Sequence, residues 1–147
     1  MNLLTGEQKA TLDEKNRINL PSRLRSAMET ETVWITKGNE KCIWVFPPEA
    51  WKAFVESIKN SPNLDMEMLE WAQFRFITPA TEAEVDRAGR IALPQNVRDH
   101  ALLSKDCIIC GMGQRLAIWA QDQYEAYYRE HETMTPIVVK AIGHISF

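Results

Sequence analysis

Apolar residues fall in short runs of strand spacing, broken by turn residues, with longer stretches of helical spacing between them. Leu12, Ile18 and Leu20 share one parity around the Asp13-Glu14-Lys15-Asn16-Arg17 turn, the pattern of an antiparallel hairpin with one buried face. Pro21 ends the second strand and suits the first position of a short helix. Residues 32–37 and 41–46 read as two further strands joined through Gly38-Asn39. Behind Pro47-Pro48-Glu49, the residues Trp51, Phe54, Val55 and Ile58 recur as one face of an amphipathic helix.

The same order then recurs. The segment from Asp13 to Arg25 aligns with that from Asp86 to Arg98 at an offset of 73 residues, with six of thirteen pairs identical. Unrelated segments would share about one, so the chain carries a tandem duplication of one supersecondary unit. The register continues without gaps: Ile43, Val45 and Phe46 meet Leu116, Ile118 and Trp119, and Trp51, Phe54 and Val55 meet Tyr124, Tyr127 and Tyr128. The second unit therefore predicts strands over 106–110 and 114–119 and a helix through the three tyrosines. Asn16 in the first turn corresponds to Gly89 in the second, the two residue types that most readily take a positive φ. The division expected is 1–60 for the first unit, 61–76 for a linker and connecting helix, 77–130 for the second unit and 131–147 for a C-terminal tail. The connecting helix is predicted over residues 64–74, carrying Met68, Leu69, Trp71 and Ala72.

Composition narrows the class without naming a function. The 147 residues are 45% apolar and 25% charged, with net charge −3, the profile of a globular protein. No apolar run approaches the roughly 18 residues of a membrane span, and Met1 to Glu7 has no basic region, so neither membrane nor secretory signal is expected. Three cysteines make a disulfide framework unexpected and reduced thiols the expectation.

Against the acidic background, two stretches are basic. Residues 13–25 hold Lys15, Arg17, Arg23 and Arg25 against Asp13 and Glu14, and residues 86–98 hold Arg87, Arg90 and Arg98 against Asp86. Matched cationic patches at duplicated positions point to a binding face for a polyanion, and a two-stranded ribbon fits the major groove. Taken singly, each Asp-x-x-x-Arg is better read as an ion pair fixing a turn, and the paired basic patches are what shift the balance.

Other chemistry is poorly supported. Cys107-Ile108-Ile109-Cys110 lies in a predicted strand, where residues three apart point to opposite faces and cannot share one tetrahedral metal. Gly111-Met112-Gly113 lacks a third glycine and precedes a strand, which rejects a dinucleotide fingerprint. The five tryptophans sit on predicted strands and apolar helix faces, which favours core or subunit packing. His100, His131 and His144 have no nucleophile at suitable spacing. No catalytic residue, metal, cofactor or small-molecule substrate is expected.

The two blocks, together with Cys42-Ile43-Trp44-Val45-Phe46-Pro47-Pro48-Glu49-Ala50-Trp51, resemble the MraZ family of bacterial transcriptional regulators, within the AbrB-like superfamily, over residues 3–128. The resemblance implies an α+β fold of tandem AbrB-like units forming a β pseudo-barrel flanked by helices, assembled as a ring-like homo-oligomer. It also implies a cytoplasmic, nucleoid-associated repressor that binds double-stranded DNA at short direct repeats upstream of division and cell-wall genes. Arg17 and Arg90 take the positions of the family's D-x-x-x-R arginines, associated with DNA contact. Lys15, Arg87, Arg23, Arg25 and Arg98 are expected beside them, with Asp13, Asn16, Asp86 and Gly89 supporting the turns. The rival expectation is a β-rich oligomerisation or interaction module whose Asp-x-x-x-Arg units only fix turns. A zinc enzyme using Cys107 and Cys110 would require stoichiometric metal.

Overall fold

A computed structural model describes residues 2–144; Ile145, Ser146 and Phe147 of the tail lie outside them. Among the described residues eight strands, β1 (Glu7–Thr11), β2 (Arg17–Asn19), β3 (Thr32–Lys37), β4 (Ile43–Phe46), β5 (Thr81–Glu84), β6 (Arg90–Ala92), β7 (Asp106–Gly111) and β8 (Leu116–Ala120), are arranged with six α-helices. The helices are α1 (Ser22–Met28), α2 (Pro48–Lys59), α3 (Met66–Ala72), α4 (Gln95–Ala101), α5 (Gln121–His131) and α6 (Thr135–Ile142). The fold is α+β, and its largest layer is an antiparallel six-stranded sheet in the order β1-β7-β8-β4-β3-β5.

The element order β-β-α-β-β-α is repeated, as the 73-residue offset predicts. The pairing, however, crosses between the halves. β1 pairs with β7, β5 pairs with β3, and β2 pairs with β6 in a separate two-stranded ribbon. The hairpin expected around Asp13–Arg17 therefore supplies only its turn: beyond it, β1 and β2 leave for partners in the second half. Alternation settles which face a strand buries but not which strand lies beside it. At the centre, β4 pairs with β8 through Ile43 opposite Ile118.

Two apolar clusters occupy the two faces of the sheet. On one face Val33, Ile35, Ile43, Val45, Ile109, Leu116 and Ile118 meet Ile18 and Ile91 of the ribbon and Leu24 and Val97 of α1 and α4. On the other, Trp44, Phe46 and Trp119 meet Trp51 of α2, with Tyr124 and Tyr127 of α5 packed against them. Consecutive strand residues supply opposite clusters, which is why β4 and β8 are buried throughout.

Local chemistry accounts for several helix starts. Pro21 and Pro94 stand just outside α1 and α4, one position earlier than expected, where their carbonyls accept from Leu24, Arg25 and Arg98. Asp65 caps α3 by accepting from the Met68 N–H at 2.8 Å. The helix then continues as one π-helical turn, Gln73–Ile77, pinned to the sheet because the buried Thr36 hydroxyl donates to the Phe76 carbonyl at 2.6 Å. Trp71, expected to pack in the core or between subunits, is outside the core of the single chain at 64% exposure. Among the described residues no helix is long and apolar enough to cross a membrane.

Candidate nucleic-acid interface

Each repeat builds its turn around one aspartate. The Asp13 N–H donates to the Arg17 carbonyl at 2.9 Å and its carbonyl accepts from the Asn16 N–H at 3.0 Å. One carboxylate oxygen accepts from the Lys15 and Arg17 backbone N–H groups at 2.9 Å, and the other takes Arg17 Nε at 2.8 Å. The second turn repeats this: Asp86 accepts from the N–H groups of Ala88 and Arg90 and from Arg90 Nε, each at 2.9 Å. The chain closes each turn through a positive φ, 60° at Asn16 and 84° at Gly89, as their equivalence predicts. Backbone hydrogen bonding from Arg17 and Arg90, reinforced by their guanidinium groups, holds both carboxyls below the usual carboxylate range.

The ribbon brings the two turns together. Arg17 stands opposite Ala92, Ile18 opposite Ile91 and Asn19 opposite Arg90. Ile18 and Ile91 are fully buried, so Arg17, Asn19, Arg90 and Ala92 share the outward face. Arg17 and Arg90 are diagonal neighbours on that ladder, about 7–8 Å apart. Their side chains are 27% and 35% exposed. With Nε committed to aspartate, neither guanidinium has a partner for its Nη groups among the described residues, and these form the edge used in bidentate recognition.

The remaining cations divide by role. Lys15 and Arg87 are exposed at the turn tips. Arg25 and Arg98 turn back, donating through Nε to the Leu20 carbonyl at 3.1 Å and the Leu93 carbonyl at 2.9 Å. Arg25 also lies across Gly89, where an added Cβ would come within 2.5 Å of its guanidinium carbon. Arg23 is exposed but anchored to the Thr5 carbonyl at 2.7 Å. Arg25 therefore braces the opposed turn, a role invisible in charge counting, while Arg98 ties back to the end of its own strand. Asn19 carries no charge and does not stand out among the cations, although Ile18 facing inward requires Asn19 to face out.

The opposite side of the sheet has different chemistry. A cavity of about 620 Å³ is lined by Trp44, Trp119, Tyr124, Tyr127 and Arg115, whose guanidinium lies 4.1 Å from the Trp44 ring centre. Cys107 belongs to the cluster beneath the ribbon and Cys110 to the aromatic cluster, so the two thiols of the C-x-x-C face opposite ways. Burial pushes both up to about 11, leaving them protonated at neutral pH.

Comparison with known proteins gives concordant matches. The family model described as "MraZ protein" matches residues 3–69 and 76–137. A protein of Treponema denticola named "Transcriptional regulator MraZ" is 40% identical over 144 residues, covering 98% of this chain and 100% of that protein. One of the same name from Treponema pallidum (strain Nichols) is 40% identical over 131 residues, 89% of this chain and 88% of its own. Another from Natranaerobius thermophilus is 35% identical over 131 residues, 89% of this chain and 90% of its own.

Proposed function

The chain belongs to the MraZ family, and from that premise we propose that it is a non-enzymatic transcriptional regulator that binds double-stranded DNA through the outer face of the β2–β6 ribbon. The observation carrying the proposal is the placement of Arg17 and Arg90 on one outward face, each aimed by an aspartate and each with its Nη edge uncommitted among the described residues. Buried isoleucines beneath the ribbon give that face a rigid backing.

In this reading Lys15, Arg87 and Arg23 neutralise flanking phosphates, which supplies affinity and salt dependence. Arg17 and Arg90 reach guanine edges, where a guanidinium satisfies O6 and N7 together. Arg25 acts by fixing the opposed turn and Arg98 by holding the end of β6 at the Leu93 carbonyl. Asp13 and Asp86 prevent the arginines from sampling other rotamers, so binding costs them less conformational freedom. One ribbon touches only a few bases and phosphates. Assembly into a ring would set several ribbons against short direct repeats and raise the apparent affinity about 10²–10⁴-fold where spacing matches. Uncovered apolar side chains on α3 (Met66, Trp71) and α6 (Ile137, Val138) suit packing between copies. A cytoplasmic, nucleoid-associated repressor acting upstream of division and cell-wall genes is the biological form of this proposal.

The test is a fluorescence-anisotropy titration of repeat-containing and generic duplexes at several salt concentrations. Arg17→Ala with Arg90→Ala should abolish preferential binding while leaving the mass in solution unchanged. Removing a single phosphate-neutralising cation, as in Lys15→Ala, should flatten the log–log salt slope by about one unit. Normal binding by the double arginine variant would leave the rival reading, a module whose turns are purely structural.

A further inference from the structure

We infer that Asn19 is a base-reading residue whose carboxamide recognises adenine, and that its replacement by Ala92 at the equivalent position of the second repeat gives the chain a direction on DNA. This rests on the DNA-binding reading above and adds to it the element that determines site symmetry.

Ile18 and Ile91 are at once ladder partners and sequence equivalents at the 73-residue offset. The pseudo-two-fold relation between the halves therefore passes through that pair. It exchanges Arg17 with Arg90 and Asn19 with Ala92, so the outward face has four positions in two related pairs. The arginine pair obeys the relation. The other pair breaks it, with a hydrogen-bonding amide at Asn19 and a methyl group at Ala92.

Both residues are exposed, and no partner binds the Asn19 amide among the described residues. Asn19 lies directly across from Arg90, with their Cβ atoms about 4.5–5.5 Å apart. An asparagine amide matches the N7 acceptor and N6 donor of adenine in one plane, as arginine matches guanine. Placed side by side, Arg90 and Asn19 form a reader for a guanine and a nearby adenine. Across the ribbon, Arg17 and Ala92 read a guanine and tolerate or touch an apolar edge such as a thymine methyl.

A symmetric ribbon face would read a dyad-symmetric sequence equally in both orientations, because the DNA backbones are themselves related by dyads. The Asn19–Ala92 difference removes that degeneracy. Copies related by rotation about a ring axis would then all read in the same sense, matching repeats that run in one direction.

The experiment is selection of the full-length protein on a library of duplexes with a randomised core, followed by anisotropy titration of the enriched duplex. The wild type should enrich a motif without dyad symmetry that holds an adenine near a guanine. Replacing that adenine with 7-deazaadenine should weaken wild-type binding about 5- to 150-fold, and Asn19→Ala should bind both duplexes equally. Ala92→Asn, the second variant, should add an adenine preference at the dyad-related position and make the motif more nearly palindromic. A palindromic wild-type motif, binding without sequence preference, or an Asn19→Ala variant with unchanged preference would each overturn the inference while leaving DNA binding intact. Absence of any DNA binding by the wild type overturns the earlier reading as well, and equal binding by Arg17→Ala with Arg90→Ala identifies that failure separately.

Discussion

At the residue scale, the duplicated aspartates govern the geometry of the proposed interface more than the cations do. Each carboxylate joins three N–H donors of its own turn, so it fixes the loop and aims the arginine at once. Because each folded-state carboxyl lies below its ordinary value of 3.8, the stability it contributes is fully present above that value. It disappears as pH falls through the lower, folded value. Urea unfolding of wild type and Asp13→Asn should therefore differ at pH 7 and converge as the solution is acidified below about pH 4. Asn16 permits a sharper contrast. Alanine there must hold φ at 60° without a side chain suited to it, and Asn16→Ala should cost about 1–2 kcal/mol by thermal or chemical denaturation. Asn16→Gly should stay near the wild type, since the other turn already uses glycine. The equivalence of Asn16 with Gly89 is legible directly in the two aligned blocks, because a positive φ restricts residue type locally.

At the scale of elements, most of the secondary structure is legible in the sequence because its signals are short-range. The Thr32–Lys37 strand and the amphipathic helix through Trp51 and Ile58 follow from side-chain period alone. The hairpin expected around Asp13 does not form, because its alternation is satisfied equally by β2 and by β7. The exchange of β1 into the other half makes neither repeat a complete sheet. Residues 1–64 expressed alone should therefore be unfolded or should dimerise by reproducing the cross-pairing. Circular dichroism with light scattering decides this, and a folded monomer would contradict the pairing as the source of stability. Elsewhere a histidine fastens two elements. His100 of α4 donates from Nε2 to the Glu40 carbonyl at 2.8 Å, so that nitrogen has no lone pair for Arg75 at 3.5 Å. Burial, with the nearby Arg75 charge, lowers its pKa below the ordinary 6.5. The neutral ring is the form the fold selects, so stability is complete above pH 6.5 and declines as pH falls through the lowered value. His100→Gln should flatten that decline in denaturation curves taken between pH 7 and 5.

At the scale of the whole molecule, the two faces of the central sheet divide the work. Beneath the ribbon lies an aliphatic cluster supporting the outward arginines; beyond the sheet lies an aromatic cluster reached by α2 and α5. Apolar groups on α6, including Ile137 and Ile142, remain uncovered in the single chain. Removing residues 135–147 should leave the melting temperature within a few degrees but lower the assembled mass, as size-exclusion chromatography with light scattering would report. Duplication, turn chemistry, basic segments and the opposite orientation of Cys107 and Cys110 are all written in the order of residues, because each depends on neighbours within a few positions. The role of Arg25 as a brace over Gly89, the exposure of Trp71 and the outward company of Asn19 emerge only from pairing between distant segments. Local spacing decides which way a side chain points. Which strand it meets is decided by burying two apolar faces at once, and that is a property of the whole chain.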